Sequence, residues 1–140
     1  MSLLFKNIKM VIISLIPNII PLIIAGGIMG YFNIPLKPSS ALVFSIVFGI
    51  SVDYSIHFLA KFKNELLNKN LEDSIIETIN QTGRSMIFTS FILFFGFIIF
   101  AFSNFGGTII LGVLTSVILF VAMITNLTLL PSIILYFYKK

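Results

Sequence analysis

The chain has 140 residues, of which 58% are hydrophobic and only 10% are charged. A single soluble core of this size could not bury so much apolar surface, so the composition excludes an ordinary soluble domain. The absence of cysteine excludes disulfides and thiolate metal sites, and the net charge of +4 is scattered rather than gathered into a basic stripe, which argues against nucleic-acid binding.

Four apolar runs are long enough to cross a bilayer as helices, which takes about 20 residues each. Because a membrane-spanning segment must satisfy its own backbone hydrogen bonds, we predict an all-α membrane protein with four transmembrane helices. The predicted crossings cover residues 10–32, 40–60, 85–103 and 108–131, with a short amphipathic helix at 70–82. We expect no enzymatic activity, no cofactor and no metal.

The first crossing combines two helix-bending prolines with several glycines. Pro17 and Pro21 free backbone carbonyls and are expected to kink the helix. Gly26, Gly27 and Gly30 give it a small-residue surface for close helix packing. The run is too long for a cleavable signal peptide and lacks a clear cleavage site, so we expect it to stay in the protein.

The second crossing contains Asp53, and the other four acidic residues all fall between positions 65 and 77. An ionised aspartate at this depth costs about 2.5–3.5 kcal/mol on insertion scales. Because hydrocarbon disfavours the charged form, the carboxyl is expected to load and unload a proton. The alternative is a neutral aspartate that hydrogen-bonds to a neighbouring helix and only stabilises packing.

Gly49, Asp53 and His57 are spaced by four residues and therefore lie along one side of this helix. Gly49 would let another helix approach the acid. His57 could pass a proton between Asp53 and water, or it could simply anchor the helix end at the membrane surface. Tyr54 offers a hydroxyl to a partner helix, although an aromatic packed in the bundle is the commoner arrangement.

The connection after the second crossing carries Leu71, Ile75, Ile76 and Ile79 at helical spacing, and Gly83 is a natural stop. This short helix could lie on the membrane surface, pack under the bundle or serve as a solvated connector.

The last two crossings supply possible partners for the acid. These are Thr89 and Ser90 in the third crossing and Thr125 and Asn126 in the fourth, together with Asn18 in the first. Hydroxyls are weak evidence because they commonly bond to their own helix, whereas an asparagine is costly to bury unpaired.

The chain end carries two further predictions. Pro131 is expected to bend or break the last helix, and residues 136–140 form an aromatic and basic interfacial anchor.

Basic residues predict the orientation. When the connections alternate between the two sides, eight of the nine fall on one side, which should be the cytoplasm. Both termini are then cytoplasmic and the protein lies in the cell (inner) membrane, with Lys37 alone on the outside. The eight are Lys6, Lys9, Lys61, Lys63, Lys69, Arg84, Lys139 and Lys140.

Several motifs occur in a recognisable order along nearly the whole chain. They are LIPNIIPL, GISVDYSIHF, TGRSMIFTS followed by FFGF, and NLTLLPSIIL. In this order the sequence resembles the resistance-nodulation-division superfamily, and within it the MMPL-like predicted exporters, whose membrane domains are related to the sterol-sensing domain.

The resemblance implies a proton-driven exporter of lipids or other hydrophobic compounds, each half of which has six transmembrane helices and a large extracytoplasmic porter domain. Asp53 falls on the family's proton-binding position, with Tyr54 beside it. Thr89 and Ser90 fall where hydroxyl partners of the acid are found. The chain resembles only the last four helices of one half, and its basic end favours the carboxy-terminal half.

The porter domain, the first helix and the second half have no counterpart here, and residues 1–5 look like the trailing edge of a preceding helix. We therefore expect a fragment or one piece of a larger transporter whose remaining helices and porter domains are its partners, besides the lipid bilayer. A four-helix homodimeric transporter and a non-transporting scaffold or sterol-sensing-like regulatory module are the alternatives.

Overall fold

A computed structural model describes residues 8–139, so the predictions for Lys6, Lys140 and residues 1–5 lie outside the described range. The structure confirms the all-α architecture, with four helical segments long and apolar enough to cross a membrane. Its helices are α1 (Ile8–Tyr31), α2 (Pro38–Leu66), α3 (Leu71–Thr78), α4 (Arg84–Ile98) and α5 (Gly106–Tyr138).

The turn between α1 and α2 is set by local chemistry. Asn33 takes a left-handed conformation, with φ of 53°, which asparagine tolerates better than most residues. Pro38 occupies the start of α2, where its missing N–H costs nothing. The backbone N–H of Lys37 donates to the Ser40 hydroxyl at 2.8 Å, which satisfies one donor at this helix end.

The predicted stop at Gly83 is wrong. A single π-helical turn, Ile79–Gly83, leads from α3 directly into α4, and Gly83 itself has helical dihedrals. A Cβ at this position would lie 3.0 Å from the side chain of Leu127. Gly83 therefore permits close contact with α5 and does not end a helix.

Of the two outcomes expected at Pro131, a bend or a break of the last helix, the break is wrong. Helix α5 continues through Pro131 to Tyr138, and the proline is buried against its neighbours. A proline inside a transmembrane helix is tolerated where surrounding groups compensate the lost hydrogen bond. The extended helix brings the Tyr138 ring edge-on to Phe62 of α2, with 5.8 Å between ring centroids.

Helix α5 is the central element and packs against α1, α2 and α4. Helix α5 approaches the α4 segment closely at Gly112, where an added Cβ would lie 2.6 Å from the carbonyl oxygen of Phe97. A 3₁₀ turn, Ile99–Phe102, completes the α4 segment at this end.

The short helix α3 packs under the bundle, which decides between the three placements that the sequence left open. Ile75 is buried with Phe58, Phe62 and Leu130 in an apolar cluster at the end of the bundle where α2 meets α3. We call this end the α2–α3 end. Ile76, next along the chain, remains exposed.

Candidate functional site

A groove of about 700 Å³ lies between α2 and the segment formed by the π turn and α4. We call it the α2–α4 groove. It extends from the middle of α2 to the α2–α3 end, and most of the residues that line it carry a polar or charged group. The residues that matter for the chemistry are Asp53, His57, Asn64, Gln81, Ser85 and Thr89.

Asp53 and His57 are in contact along one side of α2, with 3.3 Å between His57 Nε2 and Asp53 Oδ1. Their side chains are 61% and 69% exposed, respectively, in the isolated chain. Within residues 8–139, Asp53 therefore lies on the outside of the helix bundle. The helical period puts Asp53 on the side of α2 that faces away from α1 and α5, because those two helices contact the side that carries Ser51 and Ser55.

Tyr54 and Ser90 join α2 to α4. The two hydroxyl oxygens are 2.6 Å apart, and both residues are buried. Thr89 also lines the groove, but its hydroxyl donates to the carbonyl of Ser85 in its own helix at 2.9 Å. Of the two predicted hydroxyl partners, Thr89 thus shares the groove with Asp53, and Ser90 bonds to Tyr54, the residue next to Asp53 in the sequence.

Asn18 and Asn126 are buried and paired, as the cost of an unpaired asparagine requires. They bond to Ser51 and Ser55, two serines on the opposite side of α2 from Asp53. Sequence reasoning missed these serines, although their spacing of four residues at the depth of the asparagines was a usable signal. Thr125 donates to carbonyls of its own helix.

The residues predicted to mediate helix packing fall into two groups. Pro17 and Pro21 lie on the buried side of α1. Gly26, Gly30 and Gly49 face outward, and a Cβ built at any of them would meet no atom within 4 Å. The described part of the chain offers these glycines no partner helix, so their packing role stays a prediction.

An ion-pair network holds the α2–α3 end together. The Glu65 carboxylate contacts Lys61 at 2.8 Å and Lys69 at 3.0 Å, and Lys69 also contacts Glu77 of α3 at 3.6 Å. The hydrogen bond to Glu65 raises the pKa of Lys69. Gln81, on the rim of the groove, donates to Glu77 and so connects the network to the π turn.

The groove brings a carboxylate and an imidazole together. Within residues 8–139 there is no cluster of three His, Cys, Asp or Glu side chains that could hold a metal ion. A carboxylate and an imidazole in contact can pass a proton between them, and the polar lining provides groups that can hold water.

Comparison with known proteins gives two matches. Residues 1–139 match the MMPL family. MJ1562 of Methanocaldococcus jannaschii, which is named as a membrane protein, is 31% identical over 124 residues, covering 88% of this chain. The chain spans about a third (32%) of that relative's length. No solved structure matches the chain significantly.

Proposed function

The chain belongs to the MMPL family, and on that premise we propose that it is the proton-coupling membrane part of an exporter driven by the proton-motive force. Its substrates are lipids or other hydrophobic compounds, and the protein has no enzymatic activity of its own. It lies in the cell (inner) membrane with both termini in the cytoplasm. The proposal is supported above all by the contact between Asp53 and His57 at the edge of a polar groove.

The carboxyl of Asp53 is the coupling group. Placing a charged aspartate at mid-membrane costs about 2.5–3.5 kcal/mol, so an acid at this depth favours a functional role over a packing role. His57 lies one helical turn nearer the α2–α3 end, which is the cytoplasmic end in the predicted orientation. It can accept the proton from Asp53 and release it to water in the groove.

The available driving force is sufficient to shift a conformational equilibrium. Moving one elementary charge across the membrane yields about 2.3 kcal/mol per 100 mV, and each pH unit adds about 1.4 kcal/mol. A proton that neutralises Asp53 removes the Asp53–His57 attraction. The helices can then adopt a second arrangement when the acid is loaded.

The exposure of Asp53 supports a proposal about where the partners of this chain lie. A carboxylate that is 61% exposed in this chain would face lipid unless protein or water covers it, and lipid contact is the costly outcome. We propose that the remaining helices of the transporter cover this side, whether they belong to the same chain or to a separate one. Porter domains attached to those helices would select the substrate. A second copy of this chain is the alternative cover.

The test is Asp53→Asn in the intact protein, reconstituted in liposomes that contain a pH-sensitive dye. We expect this variant to lose proton uptake and the efflux of a fluorescent lipid analogue while it inserts and expresses normally. Asp73→Asn is the matched control, because it makes the same chemical change on the exposed part of α3. Proton uptake that continues at the wild-type rate in Asp53→Asn would remove the coupling role and favour a scaffold or regulatory module.

A further inference from the structure

Four uncharged polar side chains meet in the middle of the bundle and join three helices. Asn18 comes from α1, Ser51 and Ser55 come from α2, and Asn126 comes from α5. All four are fully buried, with 0% exposure. We call this cluster the serine–asparagine network.

Each asparagine contacts both serines. The Asn18 carbonyl oxygen accepts from the Ser51 hydroxyl at 2.7 Å and lies 3.0 Å from the Ser55 hydroxyl. The Asn126 carbonyl oxygen accepts from Ser55 at 2.7 Å, and the Asn126 amide donates to Ser51 at 3.1 Å. The amides also donate to helix carbonyls, of Ser14 at 2.6 Å and of Ala122 at 3.0 Å. The network therefore satisfies its polar groups internally.

The two serines lie two residues before and two residues after Asp53. Two positions along an α-helix are about 200° apart around its axis. Ser51 and Ser55 consequently point to the opposite side of α2 from the acid. The hydrogen bonds of these serines fix the rotation of α2, and that rotation sets the direction in which Asp53 points.

Apolar contacts alone would fix this rotation poorly. The lipid-facing and protein-facing sides of a transmembrane helix are both apolar, so a rotated helix still makes favourable contacts. A buried serine or asparagine, in contrast, loses its partner when the helix turns, and an unpaired polar group in this environment is costly. Buried polar pairs are known to specify register in this way.

We propose that Asn18, Ser51, Ser55 and Asn126 are positioning residues that hold Asp53 in the α2–α4 groove. The network also joins the acid-bearing helix to α1 and α5, so any rotation of α2 that accompanies proton loading has to break or exchange its hydrogen bonds. This inference depends on the proposed proton-coupling role of Asp53 for its functional meaning, but the rotation itself can be measured separately.

The first measurement is the orientation of α2 in the intact protein in liposomes. Because this chain contains no cysteine, single cysteines can be introduced along α2 and spin-labelled, and the accessibility of each label to oxygen gives the rotational phase of the helix. Suitable positions are Ser45, Phe48, Gly49 and Val52.

Asn126→Leu and Ser55→Ala should both change this phase, the former by about one residue position, which is about 100°. Ser55→Ala is the milder variant and remains informative where Asn126→Leu does not fold. Ser55→Thr keeps the hydroxyl and should restore the wild-type phase. Ser116→Ala is the matched control, because Ser116 is a buried serine whose hydroxyl lies 2.6 Å from the carbonyl oxygen of Gly112 in its own helix and 3.3 Å from that of Phe94 in α4, so that neither contact involves α2.

The second measurement is the infrared band of the Asp53 carboxyl, which is identified by its loss in Asp53→Asn. We expect Ser55→Ala to shift the frequency of this band, because a rotated α2 changes the surroundings of the carboxyl that now contacts His57, with Ser55→Thr and Ser116→Ala at the wild-type frequency. An unchanged phase in both Asn126→Leu and Ser55→Ala would overturn the proposal, and so would a changed phase with an unshifted band. If both readouts move but Asp53→Asn still takes up protons, the positioning inference stands and the coupling function fails.

Discussion

Helix α2 has two polar sides that differ in charge and in exposure. On the inner side, Ser51 and Ser55 are fully buried and donate to the side-chain carbonyl oxygens of Asn18 in α1 and Asn126 in α5. On the outer side, Asp53 and His57 pair with each other and remain mostly exposed. The neutral groups are therefore buried against fixed partners, and the ionisable groups line the open α2–α4 groove.

The magnitudes explain this division. A hydrogen bond between transmembrane helices contributes about 0.6 kcal/mol on average, whereas a charged aspartate at mid-membrane costs about 2.5–3.5 kcal/mol. Neutral pairs can thus stabilise the interior cheaply, while a charge there would outweigh several of them. The helix that faces this outer side, α4, is also poorly covered: only 11% of the residues in an apolar 18-residue stretch of its segment are buried, compared with 44% for α5.

The largest expected effect comes from moving an acid to the inner side. Ser51→Asp should lower the free energy of unfolding by about 3 kcal/mol or more, because the serine–asparagine network offers amides and hydroxyls but no cation. Ala60→Asp, on the outer side where α2 lines the α2–α4 groove, should cost clearly less, because water in the groove can reach the new carboxylate. Both values can be measured by denaturant titration in mixed micelles. Equal losses would mean that the two sides of α2 are not different environments.

Glycines of the bundle also differ in their surroundings, since Gly112 is tightly packed and Gly49 is open. Gly112→Ala places a Cβ 2.6 Å from the Phe97 carbonyl oxygen and should cost about 1–3 kcal/mol of stability through overpacking. Gly49→Ala meets no atom within 4 Å and should stabilise α2 by roughly 0.5–1 kcal/mol through helix propensity. The same titration measures both. A destabilised Gly49→Ala in the intact protein would show that a partner helix packs closely there.

The depth of a residue in the membrane could be predicted from the sequence, but the rotation of each helix about its own axis could not. Hydropathy located the four crossings, and the position of Asp53 within one of them followed directly. The direction of the Asp53 side chain did not follow, because lipid and protein interiors favour the same apolar residues and leave no contrast between the sides of a helix. Gly83 and Pro131 were misinterpreted for a related reason. Their effect depends on contacts with neighbouring helices that no local pattern records.

Tyr54 lies at the boundary between the two sides of α2, next to Asp53 but 3% exposed. Tyr54→Phe removes the 2.6 Å contact with Ser90 and should cost about 1 kcal/mol. In a double-mutant cycle with Ser90→Ala, we expect a coupling energy of about 0.6 kcal/mol, within the range seen for membrane helices. If the stability losses of the two single variants simply add, the two hydroxyls do not interact. The Tyr54 hydroxyl would then be able to bond to groups on the outer side of α2.

The smallest effect is expected at the exposed end of α2, where charges meet water. Glu65 raises the pKa of Lys69, so the pair contributes stability that is present below the ordinary lysine pKa of about 10.4. This contribution is lost as the pH rises through the raised pKa of Lys69. Glu65→Gln should therefore flatten the dependence of the melting temperature on alkaline pH, relative to the wild type.

Salt distinguishes this pair from the mid-membrane groups. Lys69 is 40% exposed, so added salt should screen its attraction to Glu65 and shrink the difference between wild type and Glu65→Gln. The effect of Ser51→Asp should be insensitive to salt, because ions do not reach a fully buried side chain. If added salt leaves the stability difference between wild type and Glu65→Gln unchanged, Glu65 behaves like a buried group. The contrast between the buried and the exposed polar groups of α2 would then not extend to the end of the helix.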